Sequence, residues 1–280
     1  MPCPFGQRRG RRPGEGSSAG RAKLLKPPAM VDSRSASAEG MVTDAEMRSL
    51  RVALSPYLFR SMLVGMGAVA VGLHRVTGNR RLAWSFAKAR ARTLEWMLGV
   101  RVTMTGLEHV AGAGPVVYTP NHQSHLDILA LLGHLPGAVR FAAKQSLWRH
   151  AVVGAVLDSL GMVPIDRESS AEAIAALNRV RNDGDSFVVF PEGSRSRDGR
   201  LGEFKKGAFV LAIRLGLPLV PVICRGTRRP MPKGSKLNVV PGEVEIVVER
   251  PIPTTGLQFE DRDALAARVR AVIEQHHTGW

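Results

Sequence analysis

The stretch P-V-V-Y-T-P-N-H-Q-S-H-L-D-I-L-A-L-L-G, Pro115 to Gly133, changes periodicity half-way along. Pro115–Thr119 is a short apolar and β-branched run of the kind that forms a buried strand. Ser124 then offers an N-cap, and Asp127 three residues later completes a capping box, so a helix is predicted over Ser124–Gly133. A strand running through a short loop into a helix is the repeating unit of an α/β domain.

The same alternation continues outward. Strands are predicted at Val139–Ala143, Met162–Ile165, Ser186–Phe190, Leu217–Cys224 and Val244–Glu249. Helices are predicted at Leu147–Leu160, Ala171–Asn182, Lys205–Leu215 and Asp261–His276. Together these imply an α/β domain over residues 100–280, with a mixed, mostly covered sheet and flanking helices.

The 280 residues carry a net charge of +15. Residues 1–100 contribute +11 of it and residues 101–280 only +4. The folded region is nearly balanced, and the excess sits in the N-terminal third. Residues 1–40 are rich in Arg, Gly, Pro and Ser and read as a disordered basic tail. Residues 41–99 read as two helices. The first lies in the apolar stretch Leu54–Val76, whose charge-free run Ser61–Leu73 is shorter than the roughly 20 residues of a spanning helix. The second covers about Arg80 to Leu98, with Leu82, Phe86, Leu94 and Met97 opposite a basic face. No acidic residue occurs between Glu46 and Glu95. Apolar and basic surfaces without acids suit a pair of interfacial helices on an anionic leaflet; a helical hairpin packed on the main domain is the other reading. The apolar stretch begins too far along the chain for a signal peptide.

Several function classes are excluded. Two cysteines, Cys3 and Cys224, make neither a disulfide framework nor a cysteine zinc site. Nucleic acid is not expected as a partner: the charge is not spread over the folded region, only two tyrosines occur, and zinc-finger spacing is absent. No metal site is expected either, because His122 and His125 lack a third ligand at sensible spacing.

Catalytic chemistry concentrates at the strand ends. His122 and Asp127 would stand about 140° apart on one continuous helix. They meet only if the helix starts at Ser124 and His122 folds back over its first turn. Asp127 would then orient one imidazole nitrogen and leave the other as a general base. By spacing alone, Asp127 can equally be a plain cap and His122 a loop histidine. His125 is a rival base two residues from Asp127. After the strand S-F-V-V-F comes P-E-G-S-R, Pro191 to Arg195, where a glycine turn and a guanidinium suit a phosphate, with Glu192 placed to order Arg195. An ordinary turn with a surface ion pair is the alternative. Lys144 and Arg167 follow two further strands, so three cations can converge on one anion.

These residues resemble the glycerolipid acyltransferase family, the bacterial 1-acyl-sn-glycerol-3-phosphate acyltransferases. His122 and Asp127 in N-H-Q-S-H-L-D match its H-x-x-x-x-D block. Gly161–Arg167 (G-M-V-P-I-D-R) matches its second, and Phe190–Ser196 its third, with Ser194 in place of the usual threonine. Leu219–Val222 matches the fourth, an apolar strand with a central proline. A-A-K-Q-S-L (Ala142–Leu147) and F-K-K-G-A-F (Phe204–Phe209) resemble further segments. The matches keep the family's order over about Leu94 to Gly226. The resemblance implies the glycerolipid acyltransferase fold. It implies acyl transfer from acyl-CoA or acyl carrier protein to the hydroxyl of a lysophospholipid, 1-acyl-glycerol 3-phosphate giving phosphatidic acid, with no cofactor; glycerol 3-phosphate, another lysophospholipid or a lyso-amino-acid lipid is the alternative acceptor. His122 and Asp127 would be catalytic. Lys144, Arg167, Glu192, Gly193 and Arg195 would hold the acceptor phosphate, and Asn121 and Ser194 would give oxyanion stabilisation or support. The enzyme would work at the cytoplasmic face of the cell membrane, as a peripheral or monotopic protein.

Overall fold

The first turn of the N-terminal helix is written in its capping box. Thr43 Oγ1 accepts from the Glu46 amide at 3.2 Å, and the Glu46 carboxylate accepts from the Thr43 amide at 2.8 Å. Helix α1 (Asp44–Thr77) then runs for 34 residues through Pro56. Pro56 cannot donate to the Val52 carbonyl, and Ser55 Oγ takes its place at 2.7 Å. Gly78 in the left-handed region ends α1, and Asn79 caps α2 (Arg80–Leu98). The computed structural model describes residues 43–165, 178 and 180–276. The tail over 1–40, Arg167 and most of the helix expected at Ala171–Asn182 therefore lie outside the described residues.

Seven strands form one sheet in the order β1-β7-β6-β2-β5-β3-β4. They are β1 (Val100–Thr105), β2 (Val117–Pro120), β3 (Val139–Lys144), β4 (Val163–Ile165), β5 (Ser186–Val188), β6 (Leu219–Arg225) and β7 (Gly242–Val248). The five from β6 to β4 are mutually parallel. β7 is antiparallel to β6, and β1 follows β7. The sheet is mixed and, as in α/β domains generally, covered on both faces.

Alternation along the strands divides the core. Val116, Tyr118, Val188, Val220, Val222 and Cys224 face one side, with α2 and α3 (His125–His134). Val117, Phe187, Leu219 and Ile223 face the other, with α5 (Gly207–Leu215) and α6 (Arg262–His276). A shorter helix, α4 (Ala151–Ser159), lies against α1. Helix α2 is part of the core itself: Ala83, Trp84, Ala87, Ala91, Leu94 and Leu98 are all buried. It also serves the C-terminus of α3, where Arg92 Nε donates to the Gly133 carbonyl at 2.8 Å and Lys88 Nζ to that of Leu135. Glu95, whose carboxyl burial pushes up, meets His134 at 2.8 Å on the same interface.

This topology fixes where a site can form. From β2 the chain crosses through α3 on one face to β3; from β5 it crosses through α5 on the other face to β6. The two crossovers leave adjacent strands in opposite directions, so a crevice opens at the C-terminal ends of β2 and β5.

Candidate active site

His122 leaves the end of β2 and Glu192 the end of β5, at that switch point. Ser124 is the N-cap of α3: its Oγ accepts from the Leu126 amide at 3.1 Å and donates to the Met231 carbonyl at 2.7 Å. With the helix starting there, His122 lies outside it and its ring turns back. Asp127 Oδ2 accepts from His122 Nδ1 at 2.8 Å, from the Gln123 amide at 2.7 Å and from the Ser124 amide at 2.9 Å. Asp127 is fully buried, so three donors and the positive end of α3 take the place of water around that oxygen. With the carboxylate oxygen accepting, Nδ1 of His122 bears the hydrogen and Nε2 carries the lone pair.

The second loop is bound to the first. The Glu192 carboxylate accepts from the His122 amide on Oε1 at 2.7 Å and from the Gly202 amide on Oε2 at 2.8 Å. The Ser196 amide donates to the His122 carbonyl at 2.8 Å. Two strand-end loops are thus held as one unit. Glu192, expected among the phosphate ligands, is 6% exposed and turned onto backbone amides. Through these two bonds the Glu192 carboxylate ties the loops together. Asn121 is tied to the neighbouring strand. It is fully buried, its Nδ2 donates to the Cys224 carbonyl at 3.0 Å, and its Oδ1 accepts from the Cys224 amide at 2.7 Å. Its side-chain amide is thus bonded to β6 on both its oxygen and its nitrogen.

The remaining expected residues lie toward solvent. Gly193 has a φ of 64°, and a Cβ there would come within 3.1 Å of the Lys205 side chain, which lies across it. Arg195, Arg197, Arg200 and Lys205 line a pocket of about 420 Å³ together with the carboxylates of Glu192, Asp198 and Glu203. Lys144 ends β3 one strand further along, exposed on the same edge of the sheet. Arg195 and Lys144 are thus both at this edge.

Residues 101–225 match the family model described as Acyltransferase. The chain is 30% identical over 217 residues to the human 1-acyl-sn-glycerol-3-phosphate acyltransferase alpha, across 76% of each protein. The chain belongs to this acyltransferase family. It is also 38% identical over 156 residues to the chloroplastic 1-acyl-sn-glycerol-3-phosphate acyltransferase BAT2 of Brassica napus, a match covering 54% of this chain and 45% of that one. It therefore spans about half the length of that relative. Among solved structures it is similar to the crystal structure of the 1-acyl-sn-glycerophosphate (LPA) acyltransferase PlsC from Thermotoga maritima. The TM-score is 0.69 at 25% identity, over 83% of this chain and 99% of that one.

Three features of this acyltransferase-family site escaped the sequence reading. Phe190 stacks on the His122 ring, with centroids 3.9 Å apart and planes 24° from parallel. Its signal was its place as the last residue of the strand, before the P-E-G-S-R turn. Lys205 lies on Gly193, and the adjacent lysines of F-K-K-G could have drawn attention to it. Lys233 Nζ donates to the Arg195 carbonyl at 2.7 Å from 38 residues away, a contact without a sequence signal. His125 is the first residue of α3, and burial, the Arg195 guanidinium and His122 together push its imidazole down to about 4.

Proposed function

We propose that this chain transfers a fatty acyl group from an acyl thioester to the hydroxyl of 1-acyl-glycerol 3-phosphate, giving phosphatidic acid. The observation that carries the reading is the 2.8 Å bond between His122 Nδ1 and the buried Asp127 carboxylate, with the Arg195 turn tied to the same loop. The acceptor hydroxyl oxygen attacks the thioester carbonyl carbon while His122 Nε2 takes its proton. Asp127 stabilises the imidazolium that forms. The tetrahedral intermediate collapses, the carbon–sulfur bond breaks, and the thiolate leaves with the proton returned by His122. Ester and thiol are the products, and no acyl-enzyme or cofactor takes part. Arg195, Lys144 and the Ser194 amide that follows the turn at Gly193 would hold the acceptor phosphate, with Arg167, two residues beyond β4 in the chain, as the third cation.

Helix α1 supports a membrane seat. Met47, Leu50, Leu54, Tyr57, Ser61 and Val64 recur at three- and four-residue spacing and are exposed, Tyr57 at 69%. They form one largely apolar ridge flanked by arginines, suited to the headgroup boundary of an anionic leaflet. Among the described residues no helix is long and apolar enough to cross a membrane. We place the enzyme on the cytoplasmic face of the cell membrane, where both acyl-CoA and acyl carrier protein are available as donors.

The test is turnover of purified protein with 1-acyl-glycerol 3-phosphate and either donor, reading product by mass. His122→Ala should lower kcat by about a hundredfold or more with the fold intact. Arg195→Ala should raise KM for that acceptor and leave an acceptor without phosphate unaffected. Undiminished turnover by His122→Ala would refute the mechanism.

A further inference from the structure

The segment joining β6 to β7 has no part in the chemistry above. Between Gly226 and Gly242 it carries Arg228, Arg229, Lys233 and Lys236 and no acidic residue. It is nevertheless tied down along its length. Lys233 donates to the Arg195 carbonyl at 2.7 Å, and Arg228 Nη2 to that of Arg197 at 3.2 Å. The Met231 carbonyl receives the N-cap hydroxyl of α3, and the Val239 amide donates at 2.9 Å to Ser55 Oγ of α1. One end of the strap therefore rests on the pocket turn and the other on α1.

We propose that this strap, Thr227–Val240, is a contact for anionic lipid headgroups that lies between α1 and the acceptor pocket. The proposal rests on the membrane seat described above. Two observations favour lipid over an acidic protein. Val240 is 51% exposed and, with Pro241, walls a shallow cavity of about 440 Å³ against Arg48, Ser49, Val52 and Ala53 of α1, so the basic strap ends in exposed apolar residues beside α1. Arg229 and Lys236 are exposed, and among the described residues neither forms an ion pair. Apolar residues passing into unpaired cations match the boundary between acyl chains and headgroups. A phosphate-bearing lipid held by these cations would lie beside Arg195 before it enters the pocket.

The experiment uses the full chain bearing Arg229→Gln and Lys236→Asn. Asparagine is chosen because Lys236 has a φ of 50°, which it tolerates better than most residues. Retention on vesicles of phosphatidylglycerol and phosphatidylcholine should fall on the order of tenfold. In about 1 M salt, where screening is short-ranged, wild type and variant should converge. Turnover of a short-chain, monomeric lysophosphatidate should be unchanged, and turnover of vesicle-borne acceptor should fall equally with both donors. Equal retention at low salt would overturn the strap contact. A loss confined to acyl carrier protein as donor would overturn it in favour of a protein dock. Wild-type protein unable to bind either mixed or neutral vesicles would overturn the membrane seat itself.

Discussion

The oxygen that orients His122 also closes the first turn of α3. Asp127 Oδ2 serves the imidazole and two backbone amides, so the helix cap and the orientation of the His122 ring are one interaction. This much was legible in the sequence, because a capping box fixes where a helix begins and so where the residue before it can point. The Phe190 ring was not legible, since stacking depends on how two strand ends approach. His125 leads to a pH prediction at this scale. Its imidazole is pushed down to about 4 in the folded protein, whereas an unfolded histidine titrates near 6.5. As pH falls between those values the unfolded chain binds the proton first, so stability declines across that window. His125→Gln should flatten that part of the stability curve, measured by denaturant unfolding at a series of pH values. An unchanged slope would mean that His125 is not the group responsible.

At the scale of elements, the order of strands and helices was readable because α/β crossovers alternate buried runs with amphipathic ones. Ends shifted by a few residues: the strand expected to reach Phe190 stops at Val188, and the helix expected from Leu147 starts at Ala151 after a 3-10 turn. β1 was not foreseen. Its V-R-V-T-M-T run alternates with polar residues and lies on the edge of the sheet beside β7, where only one neighbour stabilises it. The junction between the two site loops is equally a product of packing. A Cβ on Gly202 would stand 2.8 Å from Glu192 Oε2, while the other carboxylate oxygen is held by the His122 amide. Gly202→Ala should therefore push Glu192 against His122. We expect a loss of about 1–3 kcal/mol in stability, by thermal melting, together with a fall in kcat. Wild-type kcat in this variant would show that the junction does not position the base.

For the whole molecule, the two N-terminal helices have different duties. Helix α2 is core, so its removal would unfold the domain and test nothing about membranes. The ridge of α1 is exposed and can be altered alone. Leu50→Gln with Leu54→Gln should leave the melting temperature within a degree or two while releasing the protein from vesicles by about tenfold. Retention equal to wild type would remove α1 from the membrane contact. The charge asymmetry of the sequence pointed to this end of the chain, but which residues face outward depended on how α1 packs against α2 and α4.

The double grip of Glu192 has one more consequence. Because the buried Glu192 carboxylate, with the Ser196 amide, holds the His122 loop and the Arg195 turn together, the proposed reactive centre is a rigid cassette and its rim is replaceable trim. Exchanging Ser194, Arg195 or Lys205 for residues suited to another headgroup should retune which lipid is acylated while the proton-transfer apparatus behind them stays in register.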